Sequence, residues 1–122
     1  LAPQAIGGHV DHVQVVRAID RLDDHPPIRW WCDFPYLVRE ESPAKPFGAR
    51  MDALPEEPVT LTPEDAAAKR AACLAYPSQL GFQFGGPEGL VGRLAATGGI
   101  ERFRRSGPLP EPVRATAPRP SA

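Results

Sequence analysis

Proline sets the limits on this chain. Each of its 16 prolines holds φ near −65° and removes an amide donor, so each marks a place where a helix or a central strand cannot simply continue. Pro26 and Pro27 end whatever precedes them, and Pro35 closes the next stretch. Pro43, Pro46, Pro55 and Pro58 interrupt the middle, and Pro77 stops a second helical run. The last 16 residues hold five prolines and almost no large apolar side chain, which predicts an extended tail from Gly107 onward. Glycine adds 11 further positions, and the two residue types together reach about twice their average share.

Between these breaks the patterns are local. Leu1 to Gly8 reads as a strand end or loop, with Gly7 and Gly8 allowing a tight turn. Apolar residues at Val10, Val13, Ala18 and Leu22, flanked by Val15, Val16 and Ile19, predict a helix over 10–22. The aromatic run Ile28 to Phe34 predicts a strand. Residues 40–58 read as a long loop, either a lid or idle, followed by a short strand over 59–61. Thr62, Pro63, Glu64 and Asp65 form a helix start, because threonine caps, proline suits the first turn and acids favour the positive helix end. That helix is expected to run through Ala75. A turn over 82–89, a short helix over 90–96 and a strand or turn over 100–104 complete the domain, 1–106.

Composition excludes several classes. Fourteen basic residues oppose 15 acidic ones, a net charge of −1 with a pI of about 6.3, which gives no electrostatic footprint for nucleic acid. No run approaches the ~18 apolar residues of a membrane span, so no membrane partner is expected. Cys32 and Cys73 make no C-x-x-C pair and are expected to be free thiols. Gly85 to Gly89 lacks the ending of a phosphate loop. Arg102, Arg104 and Arg105 read as a solvated face, and His25 as an exposed loop residue. The chain starts at Leu1 rather than methionine, which suggests a fragment or a processed product.

The chemistry concentrates in Gly7-Gly8-His9-Val10-Asp11-His12. With His12 in the first helical turn, His9 lies three residues earlier on the same side. Imidazole is a common zinc ligand, and a metal-bound histidine is usually oriented by a nearby carboxylate, a role open to Asp11. The spacing alone also fits two capping or solvated histidines.

This segment, with the amphipathic helix after it, resembles the second signature of the PIG-L/LmbE-like N-acetylglucosamine deacetylases. Trp31-Cys32-Asp33-Phe34-Pro35-Tyr36 is similar to that family's Tyr-Glu-Asp-x-Pro-Tyr segment, with cysteine in place of its glutamate. Lys69, Ala72, Tyr76, Ser78 and Gln79 resemble its late Lys-x-x-Ala…Tyr-x-Ser-Gln pattern. The resemblance covers about residues 1–84. It implies a Rossmann-like three-layer α/β/α sandwich of which this chain supplies the C-terminal part, and zinc-dependent removal of an acetyl group from an N-acetylated amino sugar. It implies His12 as a metal ligand. His9 would be the group that meets the oxyanion or protonates the leaving amine, and Asp11 the carboxylate that orients its histidine neighbour.

The family's Ala-His-Pro-Asp-Asp-Glu motif, which supplies two further ligands and the general base, is absent. The expectation is therefore that activity requires a second polypeptide, or a nicked N-terminal segment, carrying His-Pro-Asp-Asp. Trp31 and Tyr36, with Trp30 and Phe34, suit either a sugar pocket or the core. Asp33 suits substrate contact, support of a ligand, or a turn. The resemblance and the Ala-, Pro- and Arg-rich composition suggest a cytoplasmic bacterial setting. The competing classes are a non-catalytic subunit that binds a partner chain, and a sugar-binding module without chemistry.

Overall fold

A computed structural model of the chain describes residues 1–39 and 41–107. It is a mixed α/β structure built on one four-stranded sheet. The elements are β1 (Ala2–Pro3), α1 (Val10–Ile19), β2 (Ile28–Trp31), α2 (Tyr36–Arg39), α3 (Gly48–Asp52), β3 (Glu56–Thr60), α4 (Pro63–Leu74), α5 (Pro77–Gln79), a single π turn (Leu80–Phe84), α6 (Pro87–Ala95) and β4 (Ile100–Ser106). The strand order is β1-β2-β4-β3. Only β1 and β2 are parallel, with Ala2 opposite Trp30 and Pro3 opposite Trp31. β4 runs antiparallel to both of its neighbours, β2 and β3.

Trp30 organises the core. It is completely buried, as are Val16 and Ala5, and Ala2, Ile28 and Met51 pack in the same cluster with Val13, Ile19, Phe47 and Leu54 at its margin. Burying one such aliphatic side chain stabilises the fold by about 1.5–3 kcal/mol. The polar groups around the indole are matched to its burial. Gln4 Nε2 donates to the Trp30 carbonyl at 3.0 Å, and the indole nitrogen reaches Ser106 Oγ at 3.4 Å. The Arg50 guanidinium stands 5.1 Å over the ring while pairing with Asp20, the C-cap of α1.

Several expectations from sequence are corrected in extent. α1 ends at Ile19, with Arg21 and Leu22 continuing only as turns onto Ala18 and Ile19; Leu22 is exposed, so nothing holds another helical turn. β2 ends at Trp31, three residues before Phe34. The stretch 40–58 is not a loop throughout: it contains α3 and most of β3. Proline in β3 is tolerated because β3 is an edge strand. The turn expected over 82–89 is instead the end of the π turn and the start of α6.

The capped start of α4 is as expected. Asp65 N–H donates to Thr62 Oγ1 at 3.1 Å and Thr62 Oγ1 donates back to Asp65 Oδ2 at 2.9 Å. Both cysteines are free. The arginines of β4 are not a freely solvated row. Arg105 and Arg29 share Glu57, Arg102 pairs with Glu56, and Arg104 reaches Asp52 and Glu56, so the two antiparallel strands are laced by charge on both faces. The Pro-rich tail falls on 108–122, outside the described residues. Among those described, no helix is long and apolar enough to cross a membrane.

Candidate functional site

The histidine pair stands where the two parallel strands end. In sheets of this kind the carboxyl ends of parallel strands leave a crevice, bounded by the helix that follows each strand. β1 leads through Gly7 and Gly8, at φ of 88° and 69°, into the start of α1. A side chain at Gly7 would overlap the Tyr36 ring, so glycine there permits both the turn and the close approach. Gly7 N–H is held by the Ala44 carbonyl at 2.7 Å. β2 leads through Cys32 into Asp33.

Asp33 links the two strand ends. Its side chain has no exposed surface. Oδ2 accepts the Ile6 backbone N–H at 3.0 Å, and Oδ1 lies 2.5 Å from His12 Nδ1. Those two buried atoms have no other partner, and they meet by proximity rather than in-line hydrogen-bond geometry. Two acceptors this close need a proton between them, so His12 Nε2 is the nitrogen left for a ligand. Burial pushes the Asp33 carboxyl upward, against the pull of the Ile6 amide and of His12. Next to it, burial raises the Cys32 thiol to about 11, with Asp33 adding to the shift.

His9 is held differently. It is the N-cap of α1, its Nδ1 accepting Asp11 N–H at 3.3 Å. Nδ1 is thereby the acceptor, and the ring proton sits on Nε2. The Asp11 carboxylate is 81% exposed and 3.9 Å from His9 Nδ1. The two imidazole centroids are 5.3 Å apart. The sequence pattern places Asp11 beside a histidine, and the structure puts it beside His9. The carboxylate that seats His12 is Asp33, 21 positions away, which no local spacing announces.

Both histidines line an open groove of about 290 Å³ whose other walls are Phe34, Pro35, Tyr36, Cys73, Tyr76, Gln79, Gln83 and Phe84. Of the three residues expected to touch substrate, Tyr36 is on this groove. Trp31 is half-buried, edge-on to His12 with centroids 6.4 Å apart, and does not line it. Asp33 sits behind His12. A more enclosed cavity of about 150 Å³ shares Phe34 but neither histidine, and Lys69, paired with Glu101, forms part of its wall. Gln83 and Phe84 escaped sequence reasoning because the π turn that carries them has no amphipathic or capping signature.

Among the described residues, no group of three or more His, Cys, Asp or Glu side chains is placed to hold a metal ion. His12 alone fits one ligand position: its Nδ1 is engaged by a buried carboxylate, the usual support of a metal-bound histidine. A three-ligand catalytic zinc set does not close within these residues. Comparison with known protein families, with curated proteins and with solved structures finds no match to this chain.

Proposed function

We propose that this chain carries the histidine half of a metal-dependent amidohydrolase that removes the acetyl group from an N-acetylated amino-sugar conjugate. In this reading it forms the C-terminal part of a Rossmann-like three-layer sandwich. The observation that carries the reading is the Asp33–His12 pair, a buried carboxylate oxygen 2.5 Å from one imidazole nitrogen so that the other is left for a ligand. His12 would be one zinc ligand, and the remaining ligands and the general base would come from a second polypeptide or nicked segment carrying His-Pro-Asp-Asp. When bound, zinc supplies Lewis-acid polarisation of a carbonyl.

The chain's own residues do the rest of what can be derived. Asp33 fixes the His12 tautomer and ring orientation. His9 presents Nε2–H next to it, a donor suited to an oxygen that gains negative charge or to a departing amine. Asp11, by donating its backbone N–H to His9 Nδ1, keeps that proton on Nε2. The competing reading, a non-catalytic subunit, is favoured by the incomplete ligand set.

Zinc titrated into the assembly with the second polypeptide, with this chain isotopically labelled and both histidine rings followed by NMR, tests the ligand assignment. His12 Nε2 is expected to shift, the response is expected to vanish in His12→Ala, and His9→Ala is expected to keep it. An unchanged zinc response in His12→Ala overturns the assignment. Native mass spectrometry of the purified material then separates the two readings: a second polypeptide with one zinc per complex supports the hydrolase, and a metal-free chain running alone supports the subunit.

A further inference from the structure

Gln83 is the one groove residue whose amide orientation is dictated by a charged neighbour. Arg39 Nη1 donates to Gln83 Oε1 at 3.0 Å. Arginine has only donors, so the carbonyl oxygen must face it, and the NH2 group is turned away with two donors to offer. Gln83 Nε2 makes no hydrogen bond among the described residues. Arg39 is itself committed, its guanidinium lying 5.1 Å over the Tyr36 ring, so it orients Gln83 rather than acting as an open anion site.

The surroundings point to one ligand chemistry. Phe34 and Phe84 stack at 5.7 Å with 23° between their planes, with Lys69 Nζ 5.2 Å over the Phe34 ring, so the open aromatic surface at the groove is that of Tyr76, 66% exposed, and the uncovered face of Phe84. Gln79 contributes a second amide from the turn before. Flat aromatic faces suit the C–H face of a pyranose or an aromatic ring, and fixed amide donors suit a hydroxyl, ether or carbonyl oxygen. Beyond the two histidines, the described groove side chains with polar atoms are neutral amides, Cys73 and two tyrosines, so a phosphate or carboxylate seated on the Gln79, Gln83 and Phe84 wall would lose its hydration without a charged partner there.

Resting on the deacetylase reading above, we propose that this groove is the subsite for the group attached to the acetamido sugar. It takes an uncharged, ring-bearing substituent, and Gln83 is its specificity-determining residue.

The test uses the full chain with labelled side-chain amides and two probes, a p-nitrophenyl N-acetylglucosaminide and N-acetylglucosamine 1-phosphate. The nitrophenyl glycoside is expected to shift the Gln83 NH2 resonances and to bind about tenfold more tightly than the phosphate. Gln83→Met, with an unchanged backbone spectrum as proof of fold, is expected to weaken the glycoside about tenfold. Phosphate binding as tight or tighter, no binding of either probe, or a Gln83→Met variant that binds as well as the parent each overturns the proposal. The zinc response of His12 is read separately. Glycoside binding without it leaves the subsite standing and removes the hydrolase, whereas a zinc response without glycoside binding does the reverse.

Discussion

His9 and His12 are three residues apart on one helix start, yet the molecule treats them as opposites. His12 is anchored from behind by a carboxylate with no exposed surface, which also holds the Ile6 amide, so its position is tied to the junction of β1 and β2. His9 is anchored by one backbone N–H, with its neighbouring carboxylate in solvent. A group that must keep a fixed place is supported by burial and shared partners, and a group that delivers a proton needs only direction and access. The contrast assigns rigidity to one histidine and freedom to the other.

The sharpest way to break that contrast is to remove the anchor. Asp33→Ala leaves the Ile6 amide and the His12 Nδ1 unpartnered in a covered site, and chemical denaturation is expected to show a loss of about 3 kcal/mol. Asp33→Asn, which keeps an acceptor for Ile6, is expected to lose less. An Asp33→Ala variant as stable as the parent would mean that the junction is held by other contacts.

Cys32 reports on the same covered region without altering it. With its thiol at about 11 instead of 9, alkylation at pH 8 is expected to run about a hundredfold slower than for an ordinary thiol. The sign for stability follows from the same shift. Between pH 9 and 11 the unfolded chain releases this proton while the folded chain keeps it, so Cys32 makes the fold lose stability as pH rises through that window. Alkylation at the ordinary rate would mean that the site is open to water.

Gly7→Ala tests the other support, the turn that delivers α1. The substitution introduces a positive-φ side chain against Tyr36, with an expected cost of about 2 kcal/mol and displacement of the tyrosine, seen in its ring resonances. At the small end, His9→Ala removes only an N-cap and is expected to cost about 0.5–1 kcal/mol, largely restored by His9→Asn. A loss as large as that of Asp33→Ala would abolish the distinction between the two histidines.

What was legible in the sequence follows from which forces act locally. α4 was readable because Thr62, Pro63, Glu64 and Asp65 state their own start, and β2 because aromatic and branched residues cluster between prolines. α3 was not. Phe47 makes no side-chain cap, and the helix is five residues long; its Met51 enters the core cluster that contains Trp30, which exists only once the sheet is formed. The candidate site divides in the same way. His9 and His12 follow from spacing, Tyr36 from its aromatic cluster and the resemblance of its segment, and the Asp33–His12 link from no local spacing, since it joins the end of β2 to the start of α1. Gln83 gains meaning only from Arg39, 44 positions earlier.

The strand order carries a consequence for how the chain comes into being. β4, the last strand described, lies between β2 and β3 and supplies the backbone ladders that join them into one sheet. A ribosome delivering this polypeptide from its amino end therefore releases β2 and β3 as two unjoined ribbons. Until Ile100–Ser106 clears the exit tunnel, no backbone ladder joins them, the Arg29–Glu57 pair is the side-chain link already synthesised, and Ser106 cannot reach the Trp30 indole. The segments upstream of β4, including the histidine turn, must wait for it to become a single cooperative unit, and any cut that removes β4 divides the sheet rather than trimming its edge.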